Sequence, residues 1–130
     1  MTTPYARIGG EPAVAAIANR FYDLIEQDSA YADLRAIHAA DLNAVRHGLT
    51  RFLAGWAGGP RDWFERGQCI MSLHRAFPIT SVLADQWATA MTRAIEAQPG
   101  LDPDLAGAMA EALSHMARGM INLSLNQDAA

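Results

Sequence analysis

The chain is predicted to fold as a single all-α domain, from three observations. Apolar residues recur at a spacing of three or four in four separate stretches, helix-starting and helix-ending residues frame those stretches, and no alternating apolar/polar run is long enough for a strand. At 130 residues with 51% hydrophobic content, one buried core fits the chain, and two domains would leave each too small.

The first helix follows Gly9-Gly10. Glu11 and Pro12 suit a first turn, and Val14, Ile17, Phe21, Leu24 and Ile25 then recur on one face, which predicts a helix over residues 12–27. Asp28 and Ser29 interrupt it, and a short amphipathic piece with Tyr31, Leu34 and Ile37 follows. Asp41 is placed to cap the next helix, whose stripe is Leu42, Val45, Leu49, Phe52, Leu53 and Trp56; Gly58-Gly59-Pro60 ends it. From residue 61 to 79 the pattern is irregular but apolar, with Trp63, Phe64, Cys69, Ile70, Met71 and Leu73, which suits a segment wrapped around something. Thr80 or Ser81 caps a helix with Leu83, Trp87, Ala90, Met91 and Ala94 inward, stopped at Gln98-Pro99-Gly100. Asp102-Pro103 opens the last helix, whose stripe of Leu105, Met109, Ala112, Leu113, Met116, Met120 and Leu123 runs to about residue 125.

A net charge of -4 without a Lys/Arg cluster argues against a sequence-independent grip on nucleic acid or an anionic membrane. The start of the chain has no basic stretch leading into an apolar one, and no run reaches the ~18 apolar residues of a membrane helix, so the expected location is the cytoplasm. Cys69 is the single cysteine, which excludes an internal disulfide and Cys-rich metal spacings. Without a basic neighbour cluster or a second thiol, it is read as a small buried apolar residue. Phosphate loops, nucleophile elbows and His-Glu-x-x-His helices are all missing.

That leaves the histidines. His38, His47, His74 and His115 are scattered, and a lone histidine is ordinarily a solvated or hydrogen-bonded structural residue. His74 differs because it sits in a short apolar element, Cys69 to Ile79, ended by Phe77-Pro78. There it suits a fixed imidazole on the wall of a greasy pocket. His47 lies two residues past Val45, about 200° around a helix, and is expected to face away from that pocket. His115 receives no role.

Several stretches together resemble one family. These are Tyr5-Ala6-Arg7-Ile8-Gly9-Gly10, Arg20-Phe21-Tyr22, the run from Phe52 to Pro60, the segment from His74 to Ile79, and Trp87. The chain is similar over nearly its whole length to truncated haemoglobins of group II, in the globin superfamily. The resemblance implies a shortened globin fold, two helix pairs over each other around haem b (iron protoporphyrin IX), with residues 1–130 as one domain. It implies that His74 is the metal ligand, its other ring nitrogen donating to a backbone carbonyl. Leu49, Phe52, Leu53, Met71, Leu73, Arg75, Phe77, Ile79, Trp87 and Met116 would line the cofactor. Tyr22, His38, Trp87, Val45 and Leu49 would form the distal, gas-binding side, where Tyr22, His38 and Trp87 carry N–H or O–H donors.

The chain departs from the family at three places. His38 stands where Phe or Tyr is commoner, Gly67-Gln68-Cys69 replaces a common Gly-His-Pro, and Leu73 replaces an arginine able to meet a haem propionate. Arg75 and Arg66 are the local substitutes. The function implied is binding of O2 and other small ligands (NO, CO, sulfide) at a five-coordinate iron, with several donors slowing O2 release. Slow release suits NO detoxification or peroxidase-like redox turnover, with a reductase as candidate partner, better than it suits a carrier. A gas sensor or delivery module without turnover is the alternative, and a haem-free helical interaction module is the third reading. No catalytic residue is assigned, and the fold alone does not choose among the first two.

Overall fold

The computed structural model describes residues 3–60 and 79–121; the segment expected to wrap the pocket, with Cys69, Met71, Leu73, His74, Arg75 and Phe77, lies outside the described residues. Six α-helices are described: α1 (Pro4–Ile8), α2 (Glu11–Gln27), α3 (Ala32–Ala36), α4 (Asn43–Trp56), α5 (Ser81–Glu96) and α6 (Pro103–Gly119). A 3₁₀ turn, Ser29–Tyr31, joins α2 to α3. No strand occurs among the described residues, as expected. The most extensive packing is of α5 on α6 and of α2 on α4, and α2 joins the two pairs through α5. This is the two-over-two arrangement.

Local chemistry explains most boundaries. Pro12 stands in the first turn of α2, and Val14, Ile17, Ala18, Phe21, Leu24 and Ile25 are its buried face. Asp28 accepts from the Ala30 N–H at 3.0 Å, starting the 3₁₀ turn. Arg93 on α5 donates to Asp28 at 2.8 Å and to the Tyr31 hydroxyl at 3.1 Å, fastening this junction. That guanidinium holds the Asp28 carboxyl below its ordinary pKa, helped by the Ala30 N–H. Thr80 caps α5 as predicted, its hydroxyl accepting from the Leu83 N–H at 3.2 Å. Small buried residues, Ala84, Ala88, Ala90 and Ala94 on α5 with Ala106, Ala110 and Ala117 on α6, let helix backbones approach closely.

Three expectations change. The sequence pattern places nothing helical before residue 12, yet α1 forms there, too short to show a period. Its start is set by Pro4 in the first turn and by Thr3, whose hydroxyl accepts from the Ala6 N–H at 3.2 Å. Asp41 accepts the Asn43 N–H at 2.9 Å but stands one residue outside the cap position of α4, which Leu42 occupies. Asp102-Pro103 opens α6 as predicted, and the Asp102 carboxylate, which makes no cap bond, pairs with Arg7 at 3.2 Å, tying α1 to the start of α6. Ala112 is exposed, because a step of about 100° from Leu113 carries it off the buried face.

Gly58-Gly59 does more than end α4. The Tyr5 N–H donates to the Ala57 carbonyl at 2.9 Å, which docks α1 on the end of α4. A Cβ on Gly59 would fall 2.6 Å from the Tyr5 ring, so the missing side chain is where the ring sits. Gly58 has φ 101°, the left-handed conformation that releases the chain from the helix.

Candidate haem site

A cavity of about 560 Å³ opens between the two helix pairs. That is the size range of sites for cofactors and drug-sized ligands. Ile79, Leu83, Ala84 and Trp87 form one side, while α4 contributes Ala44, Val45, Gly48, Leu49 and Phe52. Leu34, Ile37, His38 and Ala39 close a third side, and Met116, Ala117 and Met120 a fourth. From α2 only Tyr22 reaches it.

The helices deliver these residues for simple geometric reasons. Val45, Leu49 and Phe52 recur at four and three, so they share one face of α4. Leu53 and Trp56, from the same predicted stripe, are turned to another surface and line a separate apolar void of about 10 Å³ with Val14, Ile17 and Leu113. Leu53 is therefore a core residue and not on the cavity wall. Leu34, Ile37, Leu83, Ala117 and Met120 are on the wall without having been singled out. Their apolar character was visible, but nothing in the pattern separates a residue packed on the core from one facing a cavity.

Three polar aromatic groups interrupt the apolar wall. Tyr22 is 6% exposed, and its ring meets that of His38 edge-on at 5.7 Å between centroids. Phe21 stands between Tyr22 and Trp87, 4.9 Å from the first and 5.4 Å from the second. Neither the Tyr22 hydroxyl nor the Trp87 indole N–H has a hydrogen-bond partner among the described residues, and neither is sealed in the core. Both are thus donors open to the cavity. Burial pushes the Tyr22 phenol up to about 12, against the opposing pull of the nearby Arg46 charge, so the O–H keeps its proton well into the alkaline range.

His38 is a different case. Its Nδ1 lies 2.8 Å from the Leu34 carbonyl oxygen, which can only accept, so Nδ1 carries the hydrogen. In the neutral ring Nε2 is then an acceptor, and no N–H remains for a ligand. The Nδ1 hydrogen of His38 is thus committed to the backbone, while the Tyr22 O–H and Trp87 N–H have no partner among the described residues. Gln86 braces this segment: its Oε1 accepts from the Leu34 N–H at 3.0 Å and its Nε2 donates to Asp33 at 3.0 Å, holding α3 to α5 beside Trp87.

His47 and His115 are exposed and off the cavity wall, as expected. Among the described residues no three His, Cys, Asp or Glu side chains gather to hold a bare metal ion. The donor set fits a cofactor held mainly by apolar contact, with one protein ligand from elsewhere, better than it fits a protein-ligated ion.

Comparison with known proteins agrees with this architecture. The model of the bacterial-like globin family matches residues 3–122. The chain belongs to that family. This globin is similar to a cold-adapted truncated haemoglobin from the Antarctic marine bacterium Pseudoalteromonas haloplanktis TAC125, at 33% identity and TM-score 0.89, covering 94% of this chain and 99% of that one. It is similar also to the group II 2-on-2 haemoglobin of the plant pathogen Agrobacterium tumefaciens, at 30% identity and TM-score 0.88, over 94% and 95% of the two chains. A haemoglobin from the thermophilic phototroph Chloroflexus aurantiacus matches at 30% identity and TM-score 0.83, over 95% and 100%. The globin is thus a haem-based gas-binding protein with the truncated, group II fold. No helix among its described residues is long and apolar enough to cross a membrane.

Proposed function

We propose that this globin binds O2, and with it NO, CO and sulfide, at haem b anchored by His74, and that it retains O2 for redox turnover rather than unloading it. When bound, haem supplies the iron that takes up the gas and polarises O2 more than CO. The observation carrying the reading is a pair of donors without a partner among the described residues, Tyr22 O–H and Trp87 N–H, opening into one apolar cavity. In a dry pocket, preorganised donors stabilise developing negative charge without reorganising. Tyr22, like any tyrosine, is protonated throughout the physiological range, and burial extends that protonation to higher pH. His38 stands next to Tyr22 with its Nδ1 hydrogen held by the Leu34 carbonyl.

Leu49, Phe52, Ile79, Trp87 and Met116 supply apolar contact to the cofactor from three helices and the approach to α5, and Val45 with Leu49 leaves α4 without a polar group on the gas side. Met71, Leu73, Arg75 and Phe77, beside His74 in sequence, are assigned to the opposite face, with Arg75 or Arg66 near the propionates.

The test mixes protein loaded with O2 with NO and measures nitrate together with loss of the reduced haem spectrum, then adds a reductase and follows recovery. Stoichiometric nitrate and repeated recovery support turnover as an NO-detoxifying globin. Displacement of O2 by NO without nitrate favours the sensor or delivery reading instead.

A further inference from the structure

Arg46 stands on α4 directly after the cavity residue Val45, yet it turns the other way, toward α2. Its guanidinium donates to the Asn19 carbonyl at 3.0 Å, to Asn19 Oδ1 at 3.3 Å, to Asp23 Oδ1 at 2.9 Å and to Glu26 Oε1 at 3.4 Å. Positions 19, 23 and 26 are four and three apart, so one side chain grips a single face of α2 over two turns. Tyr22 lies inside that span. The guanidinium carbon is 5.9 Å from its ring centroid, within cation–π reach. At 20% exposure, Arg46 is better shielded than Asp23 or Glu26, which are 40% and 42% exposed.

We propose that Arg46 is a positioning residue, fixing the Tyr22 ring and strengthening its O–H as a donor from outside the cavity. This rests on the reading of Tyr22 as a ligand donor. Two physical effects combine. The planar fork, anchored at three residues of α2, sets the spacing of α2 and α4 and so the place of the phenol relative to Val45 and Leu49. The positive charge over the ring makes the phenol more acidic than burial alone would leave it, and a more acidic O–H donates more strongly. A surface ion pair that merely stapled two helices would set their spacing but would not place a charge over the Tyr22 ring.

The experiment uses the haem-loaded protein saturated with CO, with ring-labelled tyrosine observed by NMR and the Tyr22 signal assigned by its loss in Tyr22→Phe. Arg46→Met keeps the stem without the charge or the fork, and Arg46→Lys keeps the charge without the fork. Arg46→Met is expected to move and broaden the Tyr22 ring signal and to speed O2 release roughly two- to tenfold, with CO release changing by less than about twofold. Arg46→Lys should fall between it and the parent. In a Tyr22→Phe background, Arg46→Met should lose its effect on O2 release. If Arg46→Met does not retain haem, Arg46→Lys and Asp23→Asn carry the same readouts.

An unchanged Tyr22 signal and unchanged O2 release, in variants that lose only thermal stability, overturns the inference and leaves Tyr22 as a donor in place. An effect of Arg46→Met that persists at full size in the Tyr22→Phe background also overturns it. Should Tyr22→Phe leave O2 release untouched both alone and in a Trp87→Phe background, the donor reading of Tyr22 fails, and the link from Arg46 to gas binding falls with it.

Discussion

Trp87→Phe removes a donor while keeping an aromatic ring packed on Phe21. In the structure the indole N–H has no partner among the described residues and belongs to a residue of the cavity wall, so no hydrogen bond to a described residue is broken by the change. The loss is confined to what the N–H does for a ligand. A hydrogen bond to an acceptor carrying partial charge contributes about 1.5 to 3 kcal/mol, and about 1.4 kcal/mol is tenfold in rate. O2 release should accelerate roughly ten- to a hundredfold if the bond is lost before the dissociation barrier. CO is less polarised, so its release should change far less. Stopped-flow displacement of each gas gives both rates, and their ratio is the diagnostic quantity. Thermal unfolding of the CO-loaded variant separates a packing defect from a lost donor. Equal acceleration of O2 and CO release would make the indole a steric wall and refute the hydrogen-bonding argument. Tyr22→Phe belongs in the same series, since removing one donor can free the other and give non-additive effects.

Three further outcomes are expected. Because the folded-state phenol of Tyr22 titrates near 12 and an unfolded tyrosine near 10, stability is fully present below pH 10 and declines as pH rises through about 12; the group contributes a fall of about 2 to 3 kcal/mol, seen as a steeper alkaline slope in urea unfolding than Tyr22→Phe shows. An equal slope in both proteins would mean that Tyr22 is not buried as described. Gly59→Ala drives a Cβ to 2.6 Å from the Tyr5 ring and should destabilise by about 1 to 3 kcal/mol, with most of the loss absent in a Tyr5→Ala background. His74→Gly should retain haem weakly, with added imidazole restoring part of the axial-histidine spectrum, whereas His47→Ala, an exposed position, should leave that spectrum alone. A ferric low-spin form that disappears only in His47→Ala would contradict the outward orientation of His47.

The helical elements were legible because their determinants are local. Thr80 caps α5 from three residues away, Pro12 and Pro103 preset the first turns of α2 and α6, and the three-and-four spacing of Val14, Ile17, Phe21, Leu24 and Ile25 identifies a buried face without reference to any partner. For the same reason Tyr22, Trp87, Val45, Leu49, Phe52, Ile79 and Met116 could be named from family motifs and found on one cavity wall. Periodicity reports that a face is apolar, not what it meets. Only tertiary packing sent Leu53 to the interior void while Phe52 went to the cavity, and it also took Ala112 off the buried side of α6.

The remaining surprises are contacts between residues distant in sequence or between a side chain and the backbone. Gly59 carries no signal of the Tyr5 ring lying on it, 54 residues earlier in the chain, and Arg46 reads as an ordinary surface charge until α2 is placed beside it. His38 was legible as a site residue, but its protonation pattern was not. Which ring nitrogen holds the hydrogen depends on the Leu34 carbonyl, and that carbonyl points at the ring only because α3 ends where it does. Sequence thus determined the helices, the family and eight of the seventeen residues facing the cavity, since capping, periodicity and motif are short-range properties of the chain. Tertiary structure decided polarity and alignment within the site, since a hydrogen bond needs both its partners brought within about 3 Å, and only the packing of helix on helix does that.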